Sequence, residues 1–173
     1  MTRKLRRIIT GHDENGKSVV LAVKSPFELG TLHDMWVTDG APASYALEDA
    51  VEGRRVRLEP PPHGTNFRFF RVEPDDPALD AKELEAEVAR GFEAIGAAHC
   101  RPDRTRSPHM HETGTIDYII VLEGEVTLLL DEDEVDLKPF DVVIQRGTNH
   151  AWISKNGQRA LLAAILVDAE PRA

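Results

Sequence analysis

Three of the seven histidines, His109, His111 and His150, stand in the most strand-rich part of the sequence. His109-Met110-His111 is a His-x-His pair. On an extended chain, residues two apart project from the same side. Two imidazoles so spaced can share a metal ion, with a third ligand drawn from another strand. Histidine is the commonest metal ligand, and two histidines with one carboxylate suit non-haem iron and similar divalent ions. The chain has a single cysteine, Cys100, so such an ion is expected to be held by nitrogen and oxygen. A thiol–base pair at His99-Cys100 is not expected, because adjacent residues seldom turn their side chains toward each other. His12, His33 and His63 fall in turn-like or irregular segments and read as surface groups. Asp131 to Glu134 reads as a solvated hairpin tip, since a calcium loop needs a longer ligand pattern.

The elements that must position these histidines are mostly strands. Thr115–Leu122, Glu125–Leu130, Val135–Leu137, Asp141–Gln145, His150–Ser154 and Arg159–Val167 are rich in Val, Ile and Leu and are separated by turn residues. Short strands at such regular spacing predict an antiparallel sandwich or barrel. Upstream, Asn66–Val72 reads as a strand. A helix near 81–95 follows, with Asp80 and Glu83 placed for a capping box and Gly96 placed to stop it. Its apolar stripe, Leu84, Val88, Phe92 and Ile95, is expected to pack into the core. Arg6–Thr10 and Ser18–Lys24 read as a hairpin around Asn15-Gly16, Ser25–Val51 as irregular, and Arg54–Glu59 as a strand ended by Pro60-Pro61-Pro62. The division expected is an N-terminal arm with short strands over 1–62, covering the barrel or a dimer partner, and a barrel with its helix over 63–168. Ile116–Leu122 and Leu161–Val167 are apolar on both faces, so the outer face of the sheet must also be covered. A homodimer is expected to do this, with the arm helping.

The chain's 173 residues suit one domain, and its 41% hydrophobic and 29% charged residues suit a packed globular protein. A net charge of −9 argues against a general nucleic-acid binder. The basic start, Arg3, Lys4, Arg6 and Arg7, is not followed by a sustained apolar run, and it reads as a solvated lead into the first strand. Ala160–Val167 is too short an apolar run to span a membrane. With one cysteine, a reducing, cytoplasmic setting is expected.

The run from His111 through Asp117 to Glu123-Gly124 resembles the first motif of the cupin superfamily, Gly-x5-His-x-His-x3,4-Glu-x6-Gly. Asp141 to Trp152 resembles the second, Gly-x5-Pro-x-Gly-x2-His-x3-Asn, with its Gly-x2-His core intact at Gly147 and His150. The resemblance implies a mainly β, double-stranded β-helix (jelly-roll) barrel. It also implies a divalent metal, Fe, Zn, Mn or Ni, held by His111, Asp117 and His150. Two registers are open. In one, Thr113 takes the place of the second histidine. In the other, His109 and His111 are the pair and the loop before Asp117 is one residue longer. Asp117 stands where the family has glutamate, and is expected to act as a ligand or as the catalytic proton carrier. Gln145 replaces the proline and Ser154 the asparagine. If His150 and Asp117 face inward, Trp152 and Ile119 do too, and with Thr113 and Gln145 they would line a pocket for a small organic molecule. The implied activity is that of a metal-dependent oxygenase, isomerase or dehydratase. A non-catalytic module that binds or senses a small molecule is the other reading.

Overall fold

Two β-sheets face each other across a hydrophobic interior, and a helix roofs one end. The computed structural model describes residues 4–45 and 49–170. Met1 to Arg3 of the basic start lie outside them. The strands are β1 (Arg7–His12), β2 (Ser18–Lys24), β3 (Phe27–Leu29), β4 (Leu32–Thr38), β5 (Thr65–Val72), β6 (Thr115–Glu123), β7 (Val126–Leu130), β8 (Glu134–Leu137), β9 (Val142–Arg146), β10 (His150–Ser154) and β11 (Ala160–Asp168), with helix α1 (Ala81–Ala94) between β5 and β6. One sheet runs β3-β4-β5-β11-β6-β9, a second runs β10-β7-β8, and β1-β2 form a separate hairpin. The fold is mainly β, a jelly roll as expected.

Alternation along β6 makes the inner face. Thr115, Asp117, Ile119 and Val121 are buried, whereas Tyr118 between them is exposed. Across the antiparallel registers, Ile119 lies beside Ala164 and Ala164 beside Arg68, and Asp117 lies beside Leu166 and Leu166 beside Asn66. The core cluster joins Ile119, Val121 and Leu162 with Val126 and Leu128 of the facing sheet. Removing these side chains from water is the main favourable term in folding.

Three stretches differ from their sequence readings. Ser25–Val51 is not irregular throughout, because β3 and β4 lie in it and pair with β5. His33 and Asp34 disguised β4 as polar. Both are buried, His33 against Arg71 and Glu28, and Asp34 against Arg68. Arg54–Glu59 is not a strand. Its backbone is held from outside any ladder: the Arg57 carbonyl accepts from the Asn66 and Arg68 side chains, and Leu58 N–H donates to the Ile95 carbonyl. Arg7 is not solvated, since its guanidinium pairs with Asp49 at 2.7 and 2.8 Å and both are buried. That pair, beside the Lys24 ammonium, holds the Asp49 carboxyl far below the usual range.

The helix has the expected cap. The Asp80 carboxylate accepts from Lys82 and Glu83 N–H, and Glu83 returns a bond to Asp80 N–H. Gly96 takes a positive φ of 70° just past its end, a conformation that suits glycine. Its stripe does not enter the core, and no residue of α1 is fully buried. The stripe faces a cavity instead.

Candidate functional site

His111 and His150 are brought together by backbone pairing. They form an antiparallel bridge in which His111 N–H bonds the His150 carbonyl at 2.8 Å and His150 N–H bonds the His111 carbonyl at 2.9 Å. Their ring centroids are 4.3 Å apart. Each Nδ1 lies against a backbone carbonyl, His109's at 2.9 Å and Thr148's at 2.8 Å. A carbonyl can only accept, so each Nδ1 carries the proton and each Nε2 keeps a lone pair. Among the described residues neither Nε2 has a hydrogen-bond partner. This is the arrangement by which a protein orients imidazoles as ligands or bases. Burial pushes His111 down to about 3 and His150 down to about 4. Both rings are therefore neutral near pH 7.

An aromatic wall surrounds the pair. Phe92 of α1 lies 5.0 Å from the His111 ring, Trp152 lies 5.9 Å from that of His150, and Phe70 meets Trp152 edge-on. A cavity of about 520 Å³ opens here between α1 and the barrel, lined by His111, Trp152, Phe70, Phe92, Leu84 and Val88, with His109, Arg71 and Asp75 among its polar groups. The helix stripe was visible in the sequence, but its role as the wall of a pocket was not.

The other sequence-derived residues go elsewhere. His109 is half-buried at the cavity edge and its Nε2 meets Asp75 at 2.8 Å. Asp117 is buried at the polar end of the barrel, where one carboxylate oxygen has no hydrogen-bond partner. Burial there pushes its carboxyl up to about 6, opposed by Thr115 and the Arg68 charge. Neither His109 nor Asp117 joins His111 and His150 in a group of three whose ligand atoms all lie within 4.8 Å of one another. The reason is topological: Asp117 is carried by β6, inside the large sheet, whereas the pair forms at the mouth where the chain passes β10. Ile119 packs in the core. Thr113 and Gln145 line a second cavity of about 1050 Å³, with Thr115, Leu128 and Leu130. The Thr113 and Thr115 hydroxyls bond at 2.6 Å, and the Gln145 amide donates to the Thr148 carbonyl.

Among the described residues, one group of three does bring its ligand atoms within 4.8 Å of one another: Glu59, His99 and Cys100. It lies on the larger cavity. His99 Nε2 is 2.9 Å from Glu59 Oε2 and 3.5 Å from Cys100 Sγ. The short 3-10 turn at Ala98–Cys100 folds the two neighbouring side chains together, against the expectation for adjacent residues. Burial and the nearby carboxylates push the Cys100 thiol up to about 12.

The Cupin domain family matches residues 98–166. Residues 98–166 are a cupin domain. The match begins at the 3-10 turn and ends within β11, so it contains Cys100, both paired histidines and Asp117. A cupin-domain-containing oxidoreductase of Aspergillus ruber is 28% identical over 161 residues, covering 92% of this cupin and 69% of that protein. A phomopsin biosynthesis cluster protein of Diaporthe leptostromiformis is 52% identical over 48 residues, which is 27% of this cupin and 25% of that protein. This cupin thus spans about a quarter of the phomopsin relative's length. A cupin-2 domain protein of Shewanella frigidimarina superposes with a TM-score of 0.35 at 17% identity, over 62% of this chain and 71% of that one. No helix among the described residues is long and apolar enough to cross a membrane.

Proposed function

We propose that this cupin is an oxidoreductase for a small organic molecule, and that its chemistry is centred on His111 and His150. The observation that carries the reading is the state of the pair: two neutral imidazoles, His150 buried and His111 half-buried, each with Nδ1–H fixed on a backbone carbonyl and Nε2 left free. Names of relatives such as the Aspergillus ruber oxidoreductase point the same way.

The donors fit a divalent ion held by two imidazoles, with remaining positions left for water or substrate. When bound, such an ion supplies Lewis-acid or redox chemistry to a molecule beside it. The chain's own residues do the rest. The 520 Å³ cavity has the size of a small-molecule site. Phe92, Phe70 and Trp152 give it an apolar wall, and Arg71, Asp75 and His109 offer polar groups to orient a substrate. Asp117 is the proton carrier of this reading. Its carboxyl, raised toward neutrality, can hold or release a proton at a pH where an ordinary aspartate cannot. A second copy of the chain covers the outer face of β6 and β9, where Tyr118, Val142 and Ile144 are exposed. A cytoplasmic setting fits a protein with one free cysteine.

Metal content of protein purified without a histidine tag tests the reading. One divalent ion per chain is expected in the barrel, and His111→Ala or His150→Ala should weaken its binding at least about 100-fold. Wild-type protein that neither carries nor is thermally stabilised by iron, zinc, manganese or nickel would defeat it.

A further inference from the structure

Outside the histidine pair, one more group of donors converges on a single point. Glu59, His99 and Cys100 come from two separate stretches of the chain, and both stretches are tied down. Leu58, next to Glu59, donates its N–H to the Ile95 carbonyl at 3.2 Å, and the proline run that follows Glu59 fixes the backbone beyond it. Cys100 closes the 3-10 turn by an N–H bond to the Ala97 carbonyl at 3.0 Å, and its own carbonyl accepts Glu112 N–H at 2.8 Å. The corner is thus held from both sides.

Its geometry argues against a nucleophilic thiol. In a Cys–His–carboxylate relay, the thiol and the carboxylate engage opposite nitrogens of the ring. Here both meet the same atom, His99 Nε2. Three donors facing one another around a common centre is what a ligand set looks like. In a tetrahedral zinc site, bond lengths near 2.0 Å to nitrogen and 2.3 Å to sulfur put those two donors about 3.5 Å apart. The Cys100 Sγ to His99 Nε2 distance is 3.5 Å. The Glu59 oxygen, at 2.9 Å from the same nitrogen, needs to move outward by only a few tenths of an ångström, and its side chain is partly exposed and free to do so.

We infer that Glu59, His99 and Cys100 form a second metal site, separate from the histidine pair, for a zinc-class divalent ion bound through sulfur, nitrogen and oxygen. Three protein donors leave a fourth position, and it faces the 1050 Å³ cavity that these residues share with Glu112 and Thr113. Sites with three protein ligands and one open position are the kind that bind water or a substrate atom. Ion binding here displaces the thiol proton to solvent.

Cobalt(II) reads this site directly, because a cobalt–thiolate bond gives an intense charge-transfer absorption. The full chain, stripped with a chelator and carrying His111→Ala and His150→Ala, is titrated with cobalt(II). The expected result is a thiolate absorption that saturates at one equivalent. Cys100→Ser should abolish it, and His99→Gln or Glu59→Gln, both on partly exposed side chains, should weaken the affinity at least tenfold. Absence of the absorption in the Cys100-containing protein overturns the site. So does an absorption whose affinity is unchanged by His99→Gln and Glu59→Gln, since that describes a lone cysteine. Should Cys100→Ser fail to fold by circular dichroism, the two glutamine variants still decide. The histidine-pair reading fails separately, if wild type binds no more metal than the double alanine variant.

Discussion

The two cavities of this cupin are built in opposite ways. The smaller has an aromatic wall beside the backbone-locked histidine pair, with Arg71, Asp75 and His109 among its polar groups. The larger is lined by hydroxyls, an amide and carboxylates, and its cluster of donors sits at a corner partly open to solvent. One fixes two ligands with high definition beside an aromatic wall. The other assembles three ligands from side chains that can still adjust. The lesson is that in this barrel the residues resembling the family's motif and the residues that form a three-donor cluster are different sets.

The largest effect that would sharpen the contrast is the response of the metal-free protein to acid. The folded values of about 3 for His111 and about 4 for His150 lie below the ordinary 6.5. The unfolded chain therefore takes up protons first. Stability is full above pH 6.5 and falls as pH drops toward the folded values. Asp117 works the other way, because its carboxyl, raised to about 6, favours the folded state at low pH and loses that contribution as pH rises. Two histidines outweigh one carboxylate, so urea melts should show a net loss on the order of 3 kcal/mol between pH 7 and pH 4. Replacing both histidines with asparagine should remove that loss and leave the opposite, Asp117-driven slope. An unchanged slope would mean the pair is not held neutral by burial.

A smaller effect is expected at the roof. Phe92→Ala removes the ring that faces His111 and stacks with the Arg101 guanidinium at 5.2 Å. Because α1 buries no residue fully, the fold should lose only about 1 kcal/mol, well short of a core Phe→Ala change. The affinity for an apolar probe of the smaller cavity should fall about tenfold, with cobalt binding at Cys100 unchanged. Equal damage to both cavities would show that α1 supports the whole end of the barrel.

The smallest effect on the fold is expected at the outer sheet face. Tyr118→Ser with Ile144→Ser should change monomer stability by less than about 0.5 kcal/mol, since both side chains are exposed. Sedimentation should nevertheless shift from dimer toward monomer. Ile144 also borders the larger cavity, so a second copy there would cover that cavity and leave the smaller one open.

Much of the barrel was legible because its strands carry their own periodicity. Ser18–Lys24 and His150–Ser154 match to the residue, and the helix bears a complete capping box. β4 was hidden because the polar residues His33 and Asp34 are buried with arginines that arrive from β5, a pairing invisible without the fold. Within the site, the His111–His150 association was readable from motif spacing. The distance of Asp117 from that pair was not, because spacing along a chain does not say on which strand a side chain finally lies. Of the Glu59–His99–Cys100 corner, only the neighbouring His99-Cys100 was visible in the sequence, and it was set aside. Glu59 is 40 residues from His99, and a hydrogen bond between Leu58 and Ile95 helps to bring them together.

Trp152 gives the two cavities unequal visibility. The chain has two tryptophans, and this one touches His150, packs on Phe70 and lines only the aromatic cavity of the pair. Indole emission is quenched by a neighbouring imidazolium and by many bound metal ions. The protein thus carries its own fluorophore at one of its two chambers: events beside His150 can be followed by eye of the spectrometer without a label, while the cysteine corner stays dark until cobalt colours it.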